Sequence, residues 1–252
     1  MPYRTMTRIS SPPPEAPISW RLPLPLSASV LTSGLTWRFA KRAVEVFAAS
    51  ALLVASMPVL LVAMAVVKLT SAGPAIYSQR RIGRHGQHFT IYKIRSMAVD
   101  AESRGGPRWC VPGDPRVTTV GRVLRKLHID ELPQLWNVIR GDMSLVGPRP
   151  ERPEFMPKIK PFVPGYDDRH AVRPGITGLA QVQVDADTDV ANVARKLRYD
   201  LYYIEHQGPW LETKIYFCTL LKLLGVSLPR LRRMLDLNLE PPTEQVGYRA
   251  AA

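Results

Sequence analysis

The stretch Arg125-Lys126-Leu127-His128-Ile129-Asp130-Glu131-Leu132-Pro133-Gln134-Leu135-Trp136-Asn137-Val138-Ile139-Arg140-Gly141-Asp142-Met143-Ser144-Leu145-Val146-Gly147-Pro148-Arg149-Pro150 decides how the rest of the chain is read. A basic patch opens it, two adjacent carboxylates follow, and a rigid Pro-Arg-Pro closes it. Leu132, Leu135, Trp136 and Ile139 recur at helical spacing, which predicts a helix with one packed face. Pro133 is compatible only with the first turn, where its missing N–H has no intrahelical partner to lose. Asp130 is then expected to cap that helix, in the positive field of its N-terminus. For an isolated Asp, capping alone is a sufficient explanation. Arg125 adds a second, because a guanidinium beside a carboxylate is a place where phosphate can be held.

Upstream, Val120, Val123, Leu124 and Leu127 describe a short amphipathic helix with Arg122, Arg125 and Lys126 on its other side. Residues 75–82 and 88–94 are strand-like, with Arg84-His85-Gly86-Gln87 as the turn between them. Lys93 and Arg95 add charge at the end of the second strand. Residues 100–116 read as a loop. Downstream, Arg169 and Arg173 precede a tight Pro174-Gly175 turn. Leu211, Ile215, Cys218, Leu221 and Leu224 mark a helix too charged to span a bilayer. It suits either a core or a membrane surface, with Tyr202, Tyr203 and Trp210 at headgroup depth.

From Val46 to Val67 run 22 residues without formal charge. As a helix they rise roughly 33 Å, enough for a hydrocarbon core of roughly 30 Å. A simple span competes with re-entry on equal terms. Pro58 lies mid-way, close to Ser56, whose hydroxyl can serve a carbonyl released by a break. Both flanks are basic, Arg38, Lys41 and Arg42 before and Lys68, Arg80, Arg81 and Arg84 after, so flanking charge does not orient a span.

The formal charge of +13 calls for an anionic partner: nucleic acid, anionic lipid or a phosphorylated substrate. A nucleic-acid partner is not expected, because no reading helix or aromatic platform is recognisable. Two cysteines, without metal-ligand spacing, point to a reducing compartment. The predicted fold class is α+β. Its parts are a disordered Pro/Ser-rich tail (1–36), a membrane helix that either spans or breaks and re-enters (37–70), a folded domain with interfacial amphipathic helices (71–228) and a basic, polar C-terminal tail (229–252).

Lys41-Arg42, Gly73-Pro74, Gln79–Gly83, Tyr92–Met97, Asp130–Asn137, Gly141–Pro150, Arg173–Gly178 and Asp200–Ile204 resemble the bacterial sugar transferase family, the monotopic polyprenyl-phosphate phosphoglycosyl transferases. The resemblance covers roughly residues 38–225 and is similar to the short form of the family. It implies transfer of a sugar-1-phosphate from a UDP-sugar to undecaprenyl phosphate, with release of UMP, as the first membrane step of exopolysaccharide or glycan assembly. A hexose, glucose or galactose, is expected; an N-acetylated sugar stays open, as does the oligomeric state. By the same match Asp130 is the nucleophile that carries a covalent phospho-sugar, and Glu131 helps to hold Mg²⁺. Arg125 serves the polyprenyl phosphate and Pro148-Arg149-Pro150 the uridine nucleotide, with Lys93, Arg95 and Arg173 as further substrate-binding residues. The re-entrant break falls at Ser56 and Pro58. Lys41 and Arg42 lie at the membrane interface beside anionic lipids, on the cytosolic face of the bacterial inner membrane. Glu45 and Glu212 stand where Asp is common, and His128 where Ser or Thr is usual.

Overall fold

The computed structural model describes residues 34–103, 105–111, 113–184 and 190–235. Most of the expected N-terminal tail and residues 236–252 lie outside them. Helix α1, Gly34–Thr70, is one continuous element, and within it Trp37–Thr70 is long and apolar enough to cross a membrane. The expected break into two arms is absent: the helix passes through Pro58. Ser56 Oγ donates to the Leu53 carbonyl at 3.2 Å, one residue before the carbonyl that Pro58 has no N–H to engage.

Along α1, Glu45, Ala49, Leu60, Ala63 and Val67 are buried. They fall on one stripe at spacings of three, four and their sums. Ala49 packs with Ile91, Leu135, Val138 and Met143. Leu60, Ala63 and Val67 pack with Ile94 and Leu124, with Ile129 and Leu132 against them. The same folded domain therefore grips α1 on both sides of Pro58. Within the uncharged stretch of the helix other apolar side chains are uncovered, Val54 at 72% exposure and Val62 at 64%.

Strands β1 (Ile76–Ile82) and β2 (His88–Ile94) form the expected antiparallel hairpin, Ile76 opposite Ile94 and Ile82 opposite His88. A 3₁₀ turn at Arg84–Gly86 joins them. Helix α2 (Thr119–Lys126) begins at Thr118, whose side chain accepts from the Gly121 N–H. A 3₁₀ turn, Ile129–Glu131, leads to helix α3 (Gln134–Arg140). Strand β3 (Ser144–Val146) pairs in parallel with β4 (Gly175–Thr177). Short helices α4 (Met156–Ile159) and α5 (Leu179–Gln183) follow β3 and β4 respectively. Helices α6 (Val190–His206), α7 (Pro209–Leu223) and α8 (Leu228–Leu235) complete the described chain. The expected loose tail from 229 is thus helical as far as Leu235, because Leu231 and Leu235 are buried beside Leu179, Val182 and Ile215.

Helix α7 is apolar on two faces. Ile215 and Cys218 enter the core, while Trp210, Phe217, Leu220 and Leu224 stay exposed. Tyr203 does not sit at headgroup depth as expected. It is 1% exposed, and its single hydroxyl proton has two acceptors in reach, the Val146 carbonyl at 3.0 Å and Glu212 at 2.9 Å.

Candidate active site

Asp130 and Glu131 occupy the 3₁₀ turn ahead of α3, and this corrects the expected cap. Pro133 takes the cap position, with no side-chain cap hydrogen bond. The turn is held from below by Ile129 and Leu132, which pack against the α1 stripe. His128, in the left-handed region at φ 54°, reverses the chain between α2 and the turn, a conformation in which His, like Asn and Asp, is enriched among non-glycine residues.

Two elements aim cations at Glu131. Asn137, buried at the α3–β2 contact, donates to the Thr90 carbonyl at 2.7 Å and accepts from the Tyr92 N–H at 3.2 Å. That clamp sets the register of β2 against α3. Lys93 Nζ then reaches Glu131 Oε1 at 2.7 Å. Arg149 Nη2 reaches the same oxygen, also at 2.7 Å, from the segment after β3. The backbone around Arg149 is fixed in turn. The Pro148 carbonyl accepts from the Gly175 N–H at 2.9 Å, the Arg149 carbonyl from Arg169 at 2.9 Å, and the Pro150 carbonyl from Arg81 at 3.0 Å.

The adjacent carboxyls are driven apart electrostatically. Burial raises Asp130 above its ordinary value, the neighbouring Glu131 raises it further, and Lys93 and Arg125 oppose. Burial also works to raise Glu131, but Arg149 and Lys93 outweigh it and hold the group well below the usual carboxylate range. Glu131 is therefore a permanent anion. Asp130 is a more basic carboxylate that makes no hydrogen bond among the described residues.

Arg125, half-buried on the last turn of α2, donates to Ser96 Oγ at 2.8 Å and Cys110 Sγ at 2.8 Å. It acts on Asp130 through its charge. Helix α2 comes this close because Gly121 rests on Ser96: an added Cβ would stand 2.0 Å from the Ser96 carbonyl oxygen.

Other expected site residues go elsewhere. Arg95 is buried and donates to the Ala72 carbonyl at 2.6 Å and the Ser71 carbonyl at 2.8 Å, holding the chain that leaves α1. Arg173 donates to the Gly141 carbonyl at 2.9 Å, and it makes no hydrogen bond or ion pair with the dyad. Lys41 and Arg42 are not free for lipid headgroups. Arg42 serves the Val138 and Ile139 carbonyls at the C-terminus of α3, at 2.7 and 3.0 Å. Lys41 pairs with Glu212 and donates to the Tyr203 hydroxyl at 2.7 Å. Glu45, on the same helix, accepts from the Leu145 N–H at 3.0 Å. The two family departures at 45 and 212 thus meet across one lysine. Arg81, Arg169 and Asn137 escaped the site reading. Arg81 and Asn137 lie within the quoted motifs Gln79–Gly83 and Asp130–Asn137, and Arg169 stands four residues before Arg173, so their presence was legible but their contacts were not.

Among the described residues no group of three or more His, Cys, Asp or Glu gathers as a metal centre. Mg²⁺ does not require one, since it commonly takes one or two carboxylates and shares the rest with water and phosphate. The Asp130 carboxylate and Glu131 Oε2 carry no hydrogen bond among the described residues, so the oxygen donors fit that ion.

The bacterial sugar transferase family profile matches residues 36–225. The chain belongs to the bacterial sugar transferase family. Among its relatives is the UDP-N-acetylgalactosamine-undecaprenyl-phosphate N-acetylgalactosaminephosphotransferase of Aeromonas hydrophila, 42% identical over 75% of this chain and 44% of the relative. The UDP-glucose:undecaprenyl-phosphate glucose-1-phosphate transferase of Caulobacter vibrioides is 43% identical over 73% of this chain and 69% of the relative. The exopolysaccharide production protein PSS of Rhizobium leguminosarum bv. phaseoli is 39% identical over 71% and 92%. The chain spans less than half the length of several larger relatives. Every residue of the Asp130–Glu131–Lys93–Arg149 cluster lies inside the sugar transferase match.

Proposed function

We propose that this sugar transferase family member is a membrane-bound phosphoglycosyl transferase that moves a sugar-1-phosphate from a UDP-sugar to undecaprenyl phosphate. The observation that carries the reading is the unbonded, buried Asp130 beside a Glu131 fixed by Lys93 and Arg149. The family relatives' names supply the substrate classes. An Asp130 oxygen attacks the β-phosphorus of the UDP-sugar, the bond to the bridging oxygen breaks, and UMP leaves with that oxygen. An oxygen of polyprenyl phosphate then attacks the same phosphorus and the Asp130 carboxylate departs, giving a polyprenyl diphosphate sugar. A carboxylate held above its ordinary pKa is the better nucleophile, provided nearby cations keep it ionised at neutral pH.

Arg149 and Lys93 supply positive charge where a diphosphate must be neutralised, and Arg125 does so on the other side of Asp130. Glu131 would help to hold a Mg²⁺ ion, which would supply further charge neutralisation at the diphosphate. The hexose, glucose or galactose, remains the proposed sugar.

We place the folded domain on the cytosolic face of the inner membrane. Residues on both sides of Pro58 pack on the same charged domain, so a transverse crossing would carry part of that domain into hydrocarbon. A helix held against the domain, with its uncovered apolar faces in one leaflet, keeps both flanks on one side. The exposed side of α7 continues that surface, beside anionic lipid.

UMP release from a panel of UDP-sugars, by enzyme in nanodiscs containing undecaprenyl phosphate, tests the reaction. Asp130→Asn is expected to lower it at least about a thousandfold while the protein still fractionates with membranes. Retained turnover in that variant removes Asp130 as the nucleophile.

A further inference from the structure

We propose that Asp200 is a positioning residue that acts through Arg169 on Arg149, an inference that rests on the phosphoglycosyl transfer reading above. Asp200 opens the Asp200–Ile204 motif and is buried on α6. Earlier on that helix, Val193 and Leu197 pack with Phe155, Ile159 and Tyr166. Later on it, Tyr203 and Ile204 pack with Val146 and Leu179. Val146 and Phe155 bracket Arg149 in the chain, so α6 supports that segment at both ends. Arg169, also buried, belongs to the 3₁₀ segment Tyr166–Ala171. Its Nη2 stands 2.7 Å from Asp200 Oδ2 and donates to the Arg149 carbonyl at 2.9 Å. Its Nη1 donates to the Tyr166 hydroxyl, and the guanidinium lies 4.9 Å from the centre of the Tyr166 ring. One nitrogen therefore joins a buried carboxylate to the residue whose own side chain meets Glu131.

Core stability is a weak reason for this pair. Burying two charges costs about as much as their attraction returns, and apolar residues of the same volume do as well. What an apolar pair lacks is a donor for the Arg149 carbonyl. Arg169 supplies the donor, and Asp200 keeps it there. Without the carboxylate, Arg169 is a lone buried cation that gains by turning toward water and leaving the carbonyl. The carboxylate also offsets the charge of Arg169, so a second cation behind Arg149 does not repel it. The Arg149 side chain is long and partly exposed, and its aim at the diphosphate depends on where its backbone is held. A displacement of about 1 Å at such a group can lower turnover about a hundredfold.

The test uses the full chain in nanodiscs containing undecaprenyl phosphate, and reads UMP release, melting temperature and amide hydrogen exchange together. Asp200→Asn should lower kcat/KM for the UDP-sugar at least about tenfold and speed exchange in the peptide that contains Arg149. Adding Arg169→Met to Asp200→Asn removes the orphaned cation, so the melting temperature should recover. Turnover should not recover, because the Arg149 carbonyl still lacks its donor. Turnover that returns with the melting temperature would show a merely structural pair and overturn the proposal, as would unchanged exchange at Arg149. In an Arg149→Lys background the same double substitution should cost less than about threefold, since the group it positions is already gone. An equal loss in both backgrounds also overturns it. Should Asp200→Asn alone fail to fold, the double variant, which buries no unpaired charge at this site, decides. Absence of UMP release from every UDP-sugar by the wild type defeats the transfer reading itself, whereas exchange at Arg149 still reports whether Asp200 holds that segment.

Discussion

Arg149 Nη2 lies 2.7 Å from Glu131 Oε1 across 18 residues of chain, although the guanidinium itself is 46% exposed. Its backbone is immobilised by Gly175, Arg169 and Arg81, so an accessible cation is delivered from a rigid mount. Lys93 reaches the same oxygen from the opposite element. The pair leaves Asp130 as the carboxylate without a hydrogen bond among the described residues.

Asp130 is expected to be a cost to folding. Its folded pKa is raised by burial and by Glu131. Its contribution to stability is therefore full below the unfolded value of 3.8 and is lost as pH climbs through the raised folded value. At pH 7 the ionised, buried carboxylate opposes folding. Asp130→Asn should melt at a higher temperature than wild type at pH 7, and the difference should shrink toward pH 4. Equal or lower melting temperatures at pH 7 would contradict the burial of the charge. Differential scanning calorimetry in detergent across that pH range makes the comparison.

Glu131 and Lys93 should be coupled. Each is largely withdrawn from water but not fully, at 14% and 17% side-chain exposure. Removing one partner is expected to cost about 2 kcal/mol, below the roughly 3–5 kcal/mol of a fully buried pair. A double-mutant cycle with Glu131→Gln and Lys93→Met in urea should return a coupling of about 1–2 kcal/mol. Strict additivity would mean that the contact contributes nothing.

Gly147 should tolerate no side chain. A Cβ there would stand 2.5 Å from the Arg173 carbonyl oxygen and 2.9 Å from the Gly175 nitrogen. Both are backbone atoms in the β3–β4 pairing, and neither can swing away. Gly147→Ala should destabilise by about 2–4 kcal/mol. Because Pro148-Arg149-Pro150 leaves directly from this glycine, UMP release should fall at least tenfold. Gly105→Ala is the control: its nearest neighbour would be 4.0 Å away, and its effect should stay within about 0.5 kcal/mol.

The proposed one-sided membrane placement predicts accessibility. In a background lacking Cys110 and Cys218, Thr36→Cys and Ala72→Cys should both react with an impermeant maleimide only after the cytosolic face is opened. Reaction of either position from the periplasm would restore a crossing helix.

The hairpin at 76–94, helix α2 and the run of apolar residues in α1 were legible because each depends on local pattern: alternation, amphipathic spacing, uninterrupted hydrophobicity. The carboxylate pair was legible because its neighbours form a distinctive motif. What misled was charge. Lys41, Arg42, Arg95 and Arg173 look alike in sequence, all basic and close to apolar or glycine-rich segments. Each is satisfied inside the fold, by a buried glutamate or by backbone carbonyls. The capping role read for Asp130 failed for a similar reason, since a 3₁₀ turn and Pro133 displaced the helix start by a few residues.

The sequence by itself determined the family, the apolar length of α1 and the hairpin, and it singled out the adjacent carboxylates Asp130 and Glu131, all of which reside in contiguous residues. Only the tertiary structure decided which cations meet Glu131, that Asp130 makes no hydrogen bond among the described residues, and that α1 is gripped on both sides of Pro58. Those outcomes depend on contacts between segments tens of residues apart. A guanidinium's partner is set by where the packed backbone puts it, and no local spacing records that.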